Sequence, residues 1–133
     1  MAGVTVRARA NPAGVAELVG PSGSVGRWFA GLIRQIEGVA QQGCPVDTGN
    51  LRRSHDHSVT NLGFRLHGVV RANANYALMV HQGTAPHEIR PVRARALRFT
   101  VGGDVVFATR VMHPGTQGQP WLRTALVAVI GRV

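Results

Sequence analysis

The stretch between Ser22 and Pro45 constrains the fold more than any other part of the sequence. Its apolar residues recur at intervals of three and four, the spacing that places side chains on one face of an α-helix. They are Val25, Trp28, Phe29, Leu32, Ile33, Ile36, Val39 and Ala40. Pro45 cannot continue a helix, and Gly43 suits a left-handed residue just past the last turn. We therefore predict one long amphipathic helix, capped at its start by Ser22 or Ser24.

A second helix is predicted near the end of the chain, after Pro120, which suits a first helical turn. Its apolar stripe consists of Trp121, Leu122, Ala125, Leu126, Val129 and Ile130, and Gly131 ends it. Since each helix has a single apolar stripe, both should pack against one shared face of a sheet. The side chains predicted to meet in that core are Trp28, Leu32, Ile36, Leu122 and Leu126.

Several short strands are predicted between the two helices. Apolar and polar residues alternate over 62–71, and a turn at 61–63 would join this strand to one near 55–60. Apolar runs at 97–101 and 105–109 flank Gly102-Gly103-Asp104, which is typical of a β-hairpin. Residues 76–82 form a short apolar segment, either helix or strand.

The N-terminal residues 1–21 are predicted to form an arm or an edge strand. Val4, Val6, Ala8 and Ala10 alternate with polar residues, and Asn11-Pro12 would end the strand. The whole order predicts the α+β class, with an antiparallel or mixed sheet, a long helix in the N-terminal half and a C-terminal helix packed on it. With 133 residues the chain is predicted to be a single domain, 1–133.

Charge and cysteine content narrow the function classes. The formal net charge is +9, all 15 basic residues are arginine, and only six residues are acidic. Such a balance suits either a nucleic-acid surface or an acidic protein partner. Cys44 is the sole cysteine and cannot form an internal disulfide. No apolar run approaches the length of a membrane span or of a signal segment, which predicts a protein made in the cytoplasm.

The sequence offers little catalytic or metal-binding chemistry. His55 and His57 would share one face of a strand, but zinc needs three or four ligands, and the other histidines are scattered. Ser54-His55-Asp56 is contiguous, whereas catalytic triads are assembled in space from separate elements. We therefore predict no catalytic residue, no metal site and no cofactor, and a protein that is not an enzyme.

Three segments carry a resemblance when they are taken in order. They are Pro45-Val46-Asp47-Thr48-Gly49-Asn50-Leu51-Arg52-Arg53-Ser54, then Tyr76-Ala77-Leu78-Met79-Val80-His81-Gln82-Gly83-Thr84, then Val111-Met112-His113-Pro114-Gly115-Thr116 with Gln119-Pro120-Trp121-Leu122-Arg123-Thr124-Ala125-Leu126. Together they resemble the small neck, tail-completion or head–tail connector proteins of long-tailed phages, over roughly residues 22–130. The chain departs from that pattern at His81-Gln82, where many relatives carry an acidic-aromatic pair.

The resemblance implies a virion protein, a subunit of a closed and commonly sixfold ring between the capsid portal complex and the tail tube. Its partners would be other copies of itself, adjacent connector and tail proteins, and the DNA that passes through the channel without sequence recognition. A tail terminator that caps the tail tube and a small basic DNA-binding protein are the alternatives. The residues that the resemblance assigns to subunit interfaces are Asp47, Thr48, Gly49, Leu51, Arg52, Arg53, Tyr76, His81, Gly83, Thr84, His113, Pro114, Gly115, Thr116, Pro120 and Trp121.

The arginines are spread over several elements rather than along one helix that could enter a DNA groove. We therefore expect weak DNA binding with no sequence preference. Several arginines should instead pair with carboxylates of neighbouring subunits, because the guanidinium group suits planar carboxylate pairing.

Overall fold

The computed structural model describes residues 4–131, which divide into two compact units. The first unit contains the chain up to Ala74 together with the segment from Trp121 onward, and the second unit is Asn75–Pro120. Helices and antiparallel strands occur together, so the α+β prediction is confirmed. None of the described helices is both long enough and apolar enough to cross a membrane.

The secondary structure consists of short elements apart from one long helix. The helices are α1 (Pro12–Val19), α2 (Ser24–Gly43), α3 (Asn50–Arg53), α4 (Ala77–Gln82) and α5 (Trp121–Ile130). The strands are β1 (His55–Asn61), β2 (Leu66–Ala72), β3 (Gly83–Thr84), β4 (His87–Ile89), β5 (Leu97–Val101), β6 (Asp104–Ala108), β7 (Val111–His113) and β8 (Thr116–Gln117).

Helix α2 forms where the apolar periodicity predicts it, but its ends differ from the prediction. Gly23 occupies the N-cap position and provides no side-chain hydrogen bond, so neither predicted serine caps the helix. Gly43 is the last helical residue, and the extended Cys44 follows it, donating its backbone N–H to the carbonyl of Ala40. The helix therefore stops without a left-handed glycine, because Pro45 disfavours helical backbone in the residue before it.

The predicted core is partly wrong. Ile36 is buried, but Trp28 is 56% exposed and Leu126 is 44% exposed, while Leu32 and Leu122 are half-buried. At 100° per residue, Trp28 and Leu126 lie roughly 100–120° around their helices from the centre of the buried face. The buried faces are narrower than the apolar stripes, and they consist of Gly26, Ile33, Ile36 and Ala40 on α2 and of Trp121, Ala125 and Val129 on α5.

The N-terminal region also differs from the prediction. Residues 4–10 form no strand, and Val4 and Val6 are almost fully exposed. The following residues form α1, because Asn11 caps that helix by accepting a hydrogen bond from the Ala13 N–H at 3.1 Å. Pro12 then occupies the first helical position, where a residue without an N–H is tolerated. The Asn11-Pro12 pair therefore starts a helix instead of ending a strand.

Strands β1 and β2 form an antiparallel hairpin whose inner face packs on α2. The pairing His55↔Ala72 through Asn61↔Leu66 places Gly68 on that inner face. A Cβ added at Gly68 would lie 2.3 Å from Ile33 Cδ1, so only glycine leaves room for this α2 side chain. The turn spans 62–65, since the Leu62 N–H donates to the Arg65 carbonyl at 2.8 Å.

The outer face of this hairpin carries a cross-strand ion pair. Asp56 and Arg71 lie directly opposite each other, with 3.1 Å between Arg71 Nε and Asp56 Oδ1. Hydrogen bonds from Arg71 and from the Asn73 side chain hold the pKa of the Asp56 carboxyl below its usual value. The native state therefore prefers the ionised carboxylate more strongly than the unfolded chain does.

This preference predicts a pH dependence of stability. The contribution of the ionised Asp56 to the free energy of unfolding should be complete above the pKa of this carboxyl in the unfolded chain, about 3.9. It should be lost as the pH falls through the lowered pKa of the native state. We expect the stability difference between wild type and Asp56→Asn to be constant near neutral pH and to vanish in acid, measured by urea denaturation at a series of pH values. Asp47→Asn is the control, since Asp47 is exposed and forms no ion pair among the described residues. An equal acid dependence in both variants would contradict the assignment.

The second unit is built from nested antiparallel ladders. The β3–β8 and β4–β7 ladders share one register, so they form a single ribbon that is interrupted where Ala85-Pro86 faces Pro114-Gly115. Prolines interrupt a ladder because they have no N–H to donate. Between β4 and β7 in the sequence, β5 and β6 form the predicted hairpin, with Gly102 and Gly103 both at positive φ in a two-residue turn. The described strands therefore form four two-stranded antiparallel ladders and not one continuous sheet.

Candidate subunit interface

We call the three segments that carry the resemblance the first motif (45–54), the second motif (76–84) and the third motif (111–116 with 119–126). The first motif lies in the first unit, after α2. Leu51 is buried, whereas Asp47 and Thr48 are exposed. Thr48 Oγ1 accepts a hydrogen bond from the Asn50 N–H at 3.4 Å. Gly49 takes φ 79°, a conformation that other residues rarely adopt, and this turns the chain into α3. The motif is therefore a fixed turn that presents polar side chains and anchors itself through Leu51.

A buried hydrogen-bonded chain connects the first motif with the third. The indole Nε1–H of Trp121 donates to His55 Nε2 at 2.9 Å, and the Nδ1 of His55 lies 3.1 Å from the carbonyl oxygen of Arg52. His55 must therefore carry its proton on Nδ1 and accept at Nε2, which is the neutral form of the ring. Both residues are less than 10% exposed. The structure thus uses His55 to join α5 to the end of α3.

These hydrogen bonds decide what the side chains of residues 54–57 can do as metal ligands or catalytic groups. Both ring nitrogens of His55 are occupied, so it has no free lone pair for a metal ion. His57 Nδ1 lies 2.7 Å from Glu37 Oε2 on α2, and Ser54 Oγ donates to the Leu51 carbonyl at 2.8 Å. Within residues 4–131, no three histidine, cysteine or acidic side chains are grouped so that they could hold a metal ion.

The second and third motifs meet in the second unit through three glycines, Gly83, Gly115 and Gly118, which we call the glycine clasp. A Cβ added at Gly83 would lie 2.4 Å from the Thr116 carbonyl oxygen, and one at Gly115 would lie 2.3 Å from that of Thr84. At Gly118 it would lie 2.5 Å from the carbonyl carbon of Gln82. The two backbones are therefore too close together for any larger residue at these positions.

Additional hydrogen bonds hold the clasp. The Gln119 N–H donates to the Val80 carbonyl at 2.9 Å, which ties the chain after β8 to α4. His87 and His113 lie opposite each other on β4 and β7, with stacked rings whose centroids are 5.1 Å apart. His113 Nδ1 accepts from the Gly115 N–H at 3.1 Å, and His87 Nδ1 lies 2.9 Å from the Ala85 carbonyl oxygen. These contacts fix the backbone on both sides of the proline interruption.

Replacing Gly115 with alanine should open the clasp. The residue has φ +87°, and the new Cβ would collide with the Thr84 carbonyl, so backbone strain and overlap both act against the native conformation. We expect local stability to fall by about 2–4 kcal/mol, read as faster hydrogen exchange of the Gln119 amide. Gly102→Ala is the matched control, because Gly102 also has positive φ but nothing lies within 4 Å of its added Cβ. Equal acceleration in both variants would mean that close approach contributes nothing.

The structure divides the predicted interface residues into two groups. Leu51 and Trp121 are buried, so these side chains stabilise the first unit. Others are exposed at the surface of their own unit, namely Asp47, Thr48, Arg52, Arg53, Tyr76, Pro114, Thr116 and Pro120, while Gly49, His81, Gly83, Thr84, His113 and Gly115 are half-buried. Arg52 and Arg53 are also tethered, since they donate to the carbonyls of Gln41 and Thr48.

Sequence reasoning did not identify two features of this site. The burial of His55 was not predicted, although a histidine between the end of one helix and a tryptophan of another can be buried once both of its nitrogens are bonded. The pairing of the second motif with the third was also missed. The signal was the occurrence of glycine in both segments, because glycine is favoured where two backbones approach closely.

Comparison of the chain with models of protein families, with curated proteins and with solved structures found no match.

Proposed function

We propose that this chain is a structural subunit of a phage head–tail connector ring, which joins the capsid portal complex to the tail tube around the DNA channel. The observation that carries the proposal is the second unit's lack of a core of its own. Among the residues described in that unit, Ala77 alone is buried. A segment of this size that buries so little apolar surface gains little stability from a core of its own.

The second unit instead exposes large apolar side chains. Leu78 and Met79 on α4 are 65% and 59% exposed, and Phe107 and Met112 are both 66% exposed. Exposed apolar surface on this scale is typical of sites that another protein covers. In a closed ring each copy offers the same surface to its neighbour, so such side chains would be covered all the way round.

The first unit adds a second apolar surface. On α5, Leu126, Val127 and Ile130 remain exposed beside the buried stripe, and on α2 Trp28 remains exposed as well. Tryptophan is enriched among the residues that dominate binding energy at protein interfaces. Trp28 and Leu126 were predicted to be core residues, and their exposure supports an assembly in which contacts between copies complete the burial.

The motifs support the same proposal through rigidity. The glycine clasp and the Trp121–His55 hydrogen bond fix the loops on which the exposed interface residues stand. A preformed loop loses less conformational entropy when it binds, which favours ordered assembly. The polar turn at Asp47 and Thr48 would then make directional contacts, while Leu51 and Trp121 hold it in position.

The test is a phage that lacks this chain. If the chain is a connector, the lysate should contain DNA-filled heads and complete tails that do not join, and electron cryomicroscopy of wild-type particles should show it as a closed ring at the neck. A tail terminator would instead leave tails of uncontrolled length. Normal particles in the absence of the chain would refute both structural roles and favour the small basic DNA-binding protein.

A further inference from the structure

Five arginines are concentrated at one place in the second unit, where the β4–β7 ladder gives way to the β5–β6 hairpin. Arg90 and Arg110 directly follow and precede the last pair of that ladder, Ile89↔Val111, and they therefore lie at the same end of it. Arg98 lies in β5, one residue beyond the first hairpin pair, and Arg93 and Arg95 lie in the intervening segment. All five side chains are exposed, and we call this group the arginine junction.

The arginine junction has almost no compensating charge. Arg90 is paired with Glu88, but Arg93, Arg95, Arg98 and Arg110 form no ion pair among residues 4–131. Like charges held this close together repel one another, and the repulsion is relieved when an anion binds. Four exposed guanidinium groups offer about twenty N–H donors, since each arginine carries about five. The junction therefore suits a ligand with many anionic oxygens.

Other copies of this chain could supply only part of that charge. The chain has six acidic residues, and Glu37, Asp56 and Glu88 already bond to His57, Arg71 and Arg90. Over the described part of the chain, this leaves Glu17, Asp47 and Asp104 without such a bond. Three scattered carboxylates per copy are fewer than the four unpaired arginines of this junction alone. A molecule that carries a denser array of anionic groups therefore suits the junction better than another copy of this chain.

Small side chains separate most of these arginines. Pro91, Ala94 and Ala96 are small, whereas Val92 is 95% exposed and Phe107, opposite Arg98, is 66% exposed. The choice of phosphate over a protein surface therefore rests on the density of positive charge and on the proposed function. Small side chains also allow a backbone to approach closely. A two-stranded β-ribbon has the dimensions that the major groove of DNA accepts, although contacts to phosphate alone carry no sequence information.

We propose that the arginine junction is the surface through which this protein contacts the phosphate backbone of double-stranded DNA, weakly and without sequence preference. The choice of DNA over an acidic protein rests on the proposed function, in which DNA passes through the ring. Arginine contacts to phosphate release counterions, so the binding weakens steeply as the salt concentration rises. Weak, salt-sensitive contacts hold DNA without preventing its movement.

The test compares two variants of equal charge, both checked for native circular dichroism. The junction variant is R93Q/R95Q/R98Q/R110Q, and the control is R27Q/R34Q/R65Q/R123Q, four exposed arginines of the first unit. The affinity of each for a 20-bp duplex of random sequence is measured by fluorescence anisotropy over a range of salt concentrations. We expect the junction variant to lose about tenfold or more in affinity at low salt. The magnitude of its salt slope should fall by about 3.6, because each of the four lost phosphate contacts contributes about 0.9. The control variant should retain most of its DNA affinity and most of its salt slope.

Several results would overturn the proposal. Unchanged DNA affinity in the junction variant refutes it, and an equal loss in both variants would assign the binding to net charge alone. Poly-glutamate bound more tightly than DNA by the wild type, with that binding lost in the junction variant, would assign the surface to an acidic protein. A preference of about 10³-fold or more for one DNA sequence would contradict the non-specific mode. Native mass spectrometry of both variants measures ring formation independently of DNA binding. A failure to form rings would therefore contradict the connector function alone, and a loss of the difference in DNA affinity would contradict the DNA surface alone.

Discussion

Replacing Trp121 with alanine should lower the free energy of unfolding of the first unit by about 3–5 kcal/mol. The side chain is 5% exposed, so its removal leaves a large cavity between α5 and the first motif. It also removes the donor to His55 Nε2, which stays buried without that hydrogen bond. The measurement is urea denaturation followed by far-ultraviolet circular dichroism, since most helical residues lie in the first unit.

Two further variants separate the causes of this loss. Trp28→Ala removes the same side chain from an exposed position, and we expect it to cost less than about 1 kcal/mol in the isolated protein. Trp121→Phe keeps most of the volume but removes the N–H, and it should cost about 1–3 kcal/mol through the unsatisfied His55 nitrogen. Equal losses for Trp121→Ala and Trp28→Ala would show that the Trp121 site is not the core described above.

Replacing Gly26 with alanine should destabilise the first unit by about 3 kcal/mol or more, at the upper end of the cost of overpacking. The added Cβ would lie 2.0 Å from the Gly20 carbonyl oxygen and 2.9 Å from that of Val19. These are backbone atoms at the end of α1, so no side-chain rotation can relieve the overlap. The helices would have to separate, and urea denaturation would report the lost stability.

Gly38→Ala is the matched control on the same helix. Nothing lies within 4 Å of a Cβ added at Gly38, so alanine there improves the helix without a clash. Alanine is favoured over glycine in a helix interior by about 1 kcal/mol, and we expect a stabilisation of roughly 0.5–1 kcal/mol. The two substitutions are chemically identical and should have opposite signs. A stabilising Gly26→Ala would mean that α1 does not approach α2 in solution.

The sequence was most informative where a local rule acts alone. The periodicity of α2, the Pro120 start of α5 and the Gly102-Gly103 turn each predicted the correct element. The rules failed where tertiary contacts decide. Trp28 and Leu126 belong to apolar stripes, yet which part of a stripe is buried depends on the neighbouring helix, and periodicity carries no such information.

The candidate site was predictable in a similar way. Residues of the quoted motifs fall on turns that hydrogen bonds hold, as where Thr48 accepts from the Asn50 N–H. The pairing of Gly83 with Gln117, and the contact of Trp121 with His55, join residues 34 and 66 positions apart. Contacts of that separation leave no periodic signal in a single sequence. Four members of the arginine junction, Arg90, Arg93, Arg95 and Arg98, form the densest group of arginines in the sequence. Arg110 could not be added to them from the sequence, because it joins Arg90 only through the register of the ladder.

The second unit is inserted in the sequence between the two segments of the first unit, and this affects the order of folding. The first unit needs α5, which is synthesised after the whole second unit, whereas the β5–β6 hairpin closes over only two residues. Once that hairpin has formed, the β4–β7 and then the β3–β8 ladders each close a shorter effective loop, which lowers the entropy cost of every later step. The ladders of the second unit can therefore form in this order, from the hairpin toward β3 and β8, while the chain is still on the ribosome. The face of α2 that packs on α5 stays uncovered until α5 has been synthesised, and in that interval the nascent chain is most prone to aggregation.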